Sequence, residues 1–279
     1  AGNEAVLIDP GGVEIFPAVF DAVEREVPLA DIKHVILTHE DPDAGSSLPL
    51  WREVCVDELK VHVPWLWLGY DREADFVAVP DEGMEVRFGD GGRLQLIPAH
   101  YLHSPGNFSV FDPVAKALFS GDIGGALVPP DDRDGFTVRD FDRHVQYLTG
   151  FHQRWMGSPA ARDDWIRRVR DLGPEIIVPQ RGLAFTGANV DRFLNWFETL
   201  EIGIAVKGGT PQRLSAPPAP EPASEPAVDS ASPAPAPEAK KAAKPIESPI
   251  MGAGKPLARA LKESGRQFRL ITRSDFDGL

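Results

Sequence analysis

The chain is expected to fold as an α/β sandwich, with two β-sheets packed between helices. Three observations predict it. Short β-branched runs alternate with stretches of helical period between about residues 5 and 200. Hairpin-like strand pairs interrupt that alternation in the middle of the chain. The 279 residues supply one full domain and a remainder.

Taken in order, residues 5–8 read as a strand, stopped by the turn Asp9-Pro10-Gly11-Gly12. Residues 13–26 place Val13, Phe16, Val19, Phe20 and Val23 at helical spacing. The run Val35-Ile36-Leu37 predicts a strand over 35–38, and a helix follows over 46–54. Strands are expected at 61–63 and 76–79. Residues 84–88 and 93–97 pair around Gly89-Asp90-Gly91-Gly92, and 107–111 with 116–119 form another hairpin. Helices span 141–155 and 160–172, separated by Gly157-Ser158-Pro159, and a strand at 176–178 precedes a helix at 190–200.

Composition excludes several functions. The net charge is −13 and no basic cluster marks the globular part, which argues against a nucleic-acid backbone as partner. Cys55 is the one cysteine, so no internal disulfide can form; a reducing, cytoplasmic setting is expected, with Cys55 as a packed small hydrophobe. No run of about 18 apolar residues appears, so no membrane span is expected. No signal peptide is visible, and the chain opens on Ala1 without an initiator Met, which is compatible with a natural start upstream.

The segment Thr38-His39-Glu40-Asp41-Pro42-Asp43 carries the chemistry. A His and two Asp at alternating positions leave a strand end together. Imidazole and carboxylate donors suit zinc or iron; a polar turn with Asp41 or Asp43 capping the next helix is the competing reading. Further on, Leu102-His103-Ser104-Pro105-Gly106-Asn107 and Phe119-Ser120-Gly121-Asp122 also close apolar runs. The order His-x-Asp-x-Asp, His, Ser-Gly-Asp resembles the metallo-β-lactamase fold superfamily, and within it the flavodiiron and oxygen-binding di-iron branch. The resemblance covers roughly residues 5 to 200.

That resemblance implies an αββα sandwich with a metal pocket where strand ends converge. It implies His39, Asp41 and His103 as terminal ligands of a first metal, Asp122 as the bridging carboxylate and Asp43 as a ligand of the second. The chain departs from the pattern in three places. Asp41 stands where the branch has Glu, Ala44 where a second His often follows, and Arg181 where a late His is expected in Val178-Pro179-Gln180-Arg181-Gly182-Leu183. Arginine stays protonated and offers no lone pair. The first site is therefore expected to keep four ligands. The second keeps Asp43 and the shared Asp122, with the Arg181 guanidinium near Asp43 supplying the missing charge and leaving a second metal weakly held or absent.

Other residues have plainer readings. His34 and His62 are expected at strand starts as packing residues. His144 and His152 lie on the long helix over 141–155; the surroundings of His152 resemble the oxygen-binding branch, so a place in the pocket is one reading and core packing the other. His100 is a rival to His103 or its supporting partner. Tyr101 either offers its hydroxyl to a ligand or is buried. Trp51, Trp65, Trp67 and Phe108 are core residues that would also make a dry wall for the site.

Three regions are expected: a metal-binding domain over 1–207, a linker over 208–249 and a further segment over 250–279. The linker is almost wholly Ala, Pro, Ser, Glu and Lys, too polar to offset its ordering entropy. The final segment predicts a helix at 257–264 and a strand at 268–272, and ends Ser274-Asp275-Phe276-Asp277-Gly278. That ending resembles the opening of DHH-type phosphoesterases, where such a motif helps hold manganese; a short acidic tail is the other reading. Three functions remain open. One is a non-haem iron protein, with one or two irons per chain, that binds or reduces dioxygen or nitric oxide, served by a separate electron donor. The second is a metal-dependent, zinc-type hydrolase. The third is a regulatory module whose site Arg181 has dismantled. A homodimer is compatible with each.

Overall fold

The computed structural model describes residues 4–55, 59–66, 76–129, 132 and 135–204. The expected linker, the segment over 250–279 with its phosphoesterase-like ending, and Trp67 lie outside the described residues.

Four parallel strands form the first sheet in the order β1 (Ala5–Ile8), β2 (Ile32–Ile36), β3 (Lys60–Pro64) and β4 (Phe76–Val79). Parallel neighbours need crossovers. Helix α1 (Phe16–Glu24) supplies the first, and α2 (Pro42–Gly45) with α3 (Leu48–Val54) the second. The second sheet has six strands in the order β10 (Phe185–Thr186), β9 (Ile176–Pro179), β8 (Ala117–Gly121), β7 (Phe108–Asp112), β6 (Gly92–Pro98) and β5 (Met84–Phe88). Strands β5 to β8 are joined as antiparallel hairpins, and β8 with β9 is its one parallel pair. Helices α4 (Phe141–Trp155), α5 (Pro159–Leu172) and α6 (Ala188–Thr199) cover its outer face.

Side-chain alternation along the strands builds three apolar layers. Val35 of β2 packs outward with Val19, Val23 and Trp51 of the first helical layer, while its neighbour Ile36 turns inward. Ile36 meets Val86, Leu94, Leu96, Phe108 and Val110 between the sheets. Leu118 and Ile177 face the other helices, against Leu148, Trp165, Phe193 and Phe197. The αββα architecture matches the expected one. Among the described residues no helix is long and apolar enough to cross a membrane.

Several boundaries move for identifiable reasons. The second strand runs 32–36 rather than 35–38, because the Thr38 amide donates to Asp9 Oδ1 at 2.8 Å instead of to a neighbouring strand. The helix expected at 46–54 starts at Leu48 and is preceded by the short α2 at Pro42–Gly45, each with a proline in its first turn, where no amide donor is needed. The Ser47 hydroxyl at the junction donates to the Gly11 carbonyl at 2.6 Å. His34 and His62 lie within β2 and β3, not at their starts; they are buried and stacked, with Nδ1 of His34 2.9 Å from Nε2 of His62. Trp51 and Phe108 are core residues as expected, and Cys55 is buried, which pushes its thiol pKa up. Trp65 and Tyr101 are not core residues: they are 45% and 56% exposed. The two-residue strand β10 gives no periodic signal and was not anticipated.

Candidate metal centre

The site forms where one end of each sheet meets. His39 follows β2 by three residues, Asp41 is the N-cap of α2 and Asp43 lies in its first turn. His103 sits in the loop joining β6 to β7, Asp122 directly follows β8, and Arg181 follows β9. The Phe108 amide donates to the Thr38 carbonyl at 2.9 Å, joining the sheets beside the site. Gly121 adopts φ +60°, and a Cβ there would stand 3.0 Å from Thr38 Oγ1, so glycine lets the β8 end approach the β2 end.

The structure brings His39, Asp41, His103 and Asp122 together, each offering one donor atom within 4.8 Å of the others. His103 Nε2 lies 2.9 Å from Asp122 Oδ2 and 3.5 Å from Asp41 Oδ2. His39 Nε2 lies 3.9 Å from the same Asp122 oxygen. The orientation of His39 is set from behind. Thr38 Oγ1 donates to Asp9 Oδ2 at 2.7 Å, which leaves its lone pairs to accept the His39 Nδ1 proton at 2.8 Å. That fixes the tautomer with a bare lone pair on Nε2. This atom is buried and has no hydrogen-bond partner, an arrangement that costs stability unless a cation completes it.

Asp43 stands apart from this group. Arg181 Nη2 lies 2.8 Å from Asp43 Oδ2 and 3.1 Å from Asp122 Oδ1, so one guanidinium bridges the two carboxylates. Gln180 Nε2 donates to the Asp43 carbonyl at 3.2 Å. The motif loops are also tied to each other: Ser104 Oγ lies 2.6 Å from Glu40 Oε2, and Asn107 Nδ2 donates to the Leu102 carbonyl at 2.7 Å.

The electrostatics follow from these contacts. Burial disfavours the Asp122 carboxylate, but the His103 hydrogen bond and the neighbouring His39 imidazole and Arg181 guanidinium outweigh it and hold its pKa at about 2. Burial likewise disfavours the His103 imidazolium, yet its bond to Asp122 and the nearby Asp122, Asp41 and Glu40 carboxylates raise its pKa above the ordinary value. Asp9 is raised chiefly by burial, against the lowering effects of His39 and Thr38.

The remaining histidines are elsewhere. His100 Nε2 lies 2.8 Å from the Asp81 carbonyl and takes no part in orienting His103. His152 is fully buried, donates from Nδ1 to Leu148 O and accepts the Gly124 amide at Nε2, both at 2.8 Å. It braces the loop after Asp122 from the core rather than lining the pocket, and burial lowers its pKa to about 4. His144 is also buried in the helical layer. Trp155, at the end of α4, sets its ring edge-on to His103 at 5.5 Å and is 53% exposed at the rim. Asp9 and Thr38 support the candidate site through the chain of bonds that reaches His39 and carry no motif of their own, the first reading as part of a turn. Their signal was an Asp closing the strand beside the one that carries the His motif.

An αββα sandwich with His and Asp side chains gathered at its strand ends defines a metallo-β-lactamase fold. More narrowly, the chain belongs to the ODP family beta lactamase family, whose model matches residues 1–182. The structure of the chemotaxis sensor ODP from T. denticola in its apo state resembles it with a TM-score of 0.67 at 35% identity, covering 74% of this chain and 86% of that one. A structure of ODP as a peroxy diiron species matches equally well. The flavodiiron protein from Giardia intestinalis shares the fold, with a TM-score of 0.62 at 18% identity over 71% of this chain and 49% of its own. Uncharacterized protein MJ0732 of Methanocaldococcus jannaschii is 25% identical over 211 residues, 68% of this chain and 50% of that protein. The chain spans half or less of the length of the curated relatives it matches.

Proposed function

We propose that this chain is an iron-holding, dioxygen-binding module of the sensor type, in which His39, Asp41, His103 and Asp122 hold one ion and Arg181 stands in for a second. The observation that carries the reading is the His39 Nε2 lone pair, fixed by Thr38 and Asp9, buried, and facing three further donors. The kinship with a protein described as a chemotaxis sensor and as a diiron species supports it. Two imidazoles and two carboxylates leave coordination positions open, which favours iron over a closed structural zinc site. Bound iron would supply the position at which dioxygen or nitric oxide attaches.

The protein residues divide the remaining work. Asp122 stays ionised at any physiological pH and serves as an anionic donor. His103 must move the proton it shares with Asp122 off Nε2 before that atom can ligate. Arg181 neutralises Asp43 and Asp122, as a second cation would. Reduction of dioxygen on this reading relies on a separate electron donor, and a reducing, cytoplasmic setting fits it.

Metal analysis of protein made under iron-replete conditions tests the reading. One iron per chain is expected, with a visible absorption that changes reversibly with oxygen; the Arg181→His variant should hold more metal. Two tightly held irons in the unaltered chain would refute the single-ion reading. Zinc with ester cleavage would indicate the hydrolase instead. Arg181 also favours a metal-free regulatory module, which the absence of both metal and an oxygen response would establish.

A further inference from the structure

We propose that the end of the sandwich opposite the metal centre holds a second binding site, for a small molecule bearing a phosphate group. A cavity of about 320 Å³ opens there between the two sheets. It is lined by Lys33 and His34 of β2, Lys60 of β3, Arg87 and Phe88 of β5, Gly89 of the following turn, and Glu4. Strand β6 connects that turn to the His103 loop, and its seven residues separate the sites by roughly 20 Å. In a chain of net charge −13, three cationic side chains converging on one cavity stand against the overall balance.

Two features distinguish this cavity from a patch of solvated lysines. The first is His34, which is 5% exposed. Its Nδ1 is engaged with His62 Nε2 at 2.9 Å, and His62 Nδ1 is buried without a partner. A single proton lies between the two rings. If His34 donated it, the orphaned His62 Nδ1 would carry an unmet N–H. If His62 donates it, the orphan is only an unused lone pair, the cheaper arrangement. His34 Nε2 then carries a proton towards the cavity, where the nearest anionic atom is Glu4 Oε2 at 4.0 Å.

The second feature is Glu4 itself. Its Oε2 accepts the Gly89 amide at 2.6 Å, so a carboxylate already rests on the donors of this cavity. It marks the position that an oxyanion occupies. A backbone amide, an imidazole N–H, two ammonium groups and a guanidinium are a donor set suited to the oxygens of a phosphate, and Phe88 offers an apolar wall to the group that carries it. Arg87 is also paired with Glu85 at 2.6 Å and is largely exposed, so its share of the attraction is small. Glu4 is therefore an internal competitor that a phosphate must displace. No residue of this site belongs to the metal centre, and the inference stands whichever metal is bound there.

The test is a titration of the full chain with inorganic phosphate and, separately, with adenosine monophosphate, at constant ionic strength, followed by the amide signal of Gly89 and the imidazole signals of His34. A saturable response is expected. The double variant Lys33→Ala/Lys60→Ala should weaken binding tenfold or more, on the order of two exposed charge contacts and their shared ligand. Glu4→Gln should tighten it by about threefold, because the resident carboxylate no longer competes. Tighter binding of the nucleotide than of phosphate identifies an organic phosphate as the ligand; equal binding identifies free phosphate. The proposal is overturned by no saturable response in either the unaltered chain or Glu4→Gln, by affinities that the lysine substitutions leave unchanged, or by weaker binding in Glu4→Gln. The circular dichroism and metal content of each variant serve as the folding control.

Discussion

Replacing Thr38 by Val removes one hydroxyl and almost no volume, and that hydroxyl makes two of the site's hydrogen bonds. It donates to Asp9 Oδ2 at 2.7 Å and accepts from His39 Nδ1 at 2.8 Å. The bond to the carboxylate contributes about 2 kcal/mol and the neutral one about 1 kcal/mol, so Thr38→Val is expected to cost about 3 kcal/mol of folding stability. For a domain of this size that is a fall of roughly 6–12 °C in Tm. The Thr38 amide still serves Asp9 at 2.8 Å, which keeps the loss from growing further. The second consequence concerns the metal. Without Thr38 Oγ1 the His39 ring is free to rotate and to exchange tautomers, and loss of such a supporting partner lowers metal affinity by about 10- to 100-fold. Thermal unfolding of the metal-free variant reads the first effect; a competition titration with a chelator reads the second. A variant that lost stability but kept its metal affinity within about twofold would refute the claim that Thr38 orients His39 for ligation.

Other expectations follow from particular contacts. His62, His144 and His152 are held by burial at about 4, below their unfolded value of 6.5, so the unfolded chain binds more protons between these limits. Their contribution to stability should be complete above pH 6.5 and be lost as pH drops towards 4, as denaturant titrations would show, and His144→Leu should make that fall shallower. Gly121→Ala forces an alanine into φ +60° with its Cβ 3.0 Å from Thr38 Oγ1 and should destabilise the fold by about 1–3 kcal/mol, measured by denaturant midpoint. Trp155 meets His103 edge-on at 5.5 Å, so iron loading should quench tryptophan emission, and Trp155→Phe should remove most of the change. An equal quench in that variant would place the metal away from His103.

How much was legible depended on whether a signal was local. His39 and Asp122 each follow an apolar run, so both could be placed at strand ends from the sequence, with His103 in the loop after another such run. The arginine that faces Asp43 was also foreseeable, because residue 181 sits in a loop whose neighbours match the family pattern while its own chemistry forbids ligation. Residues whose role depends on a distant partner were not legible. The surroundings of His152 allowed a pocket residue, yet its two ring nitrogens are both engaged in the core. Tyr101 is an exposed rim residue although aromatic chemistry favours burial. Asp9 read as a turn residue and is instead the last member of a chain of bonds reaching His39.

The sequence alone determined the αββα order of elements, because alternation along a strand and turn chemistry at its end are properties of neighbouring residues, and its candidate donors came from resemblance to a family. Which donors meet, which lone pair His39 presents, and the pairing of His34 with His62 were decided only by tertiary packing. These relations join residues on separate strands, whose distance and orientation are set by the stacking of two sheets and not by any interval along the chain.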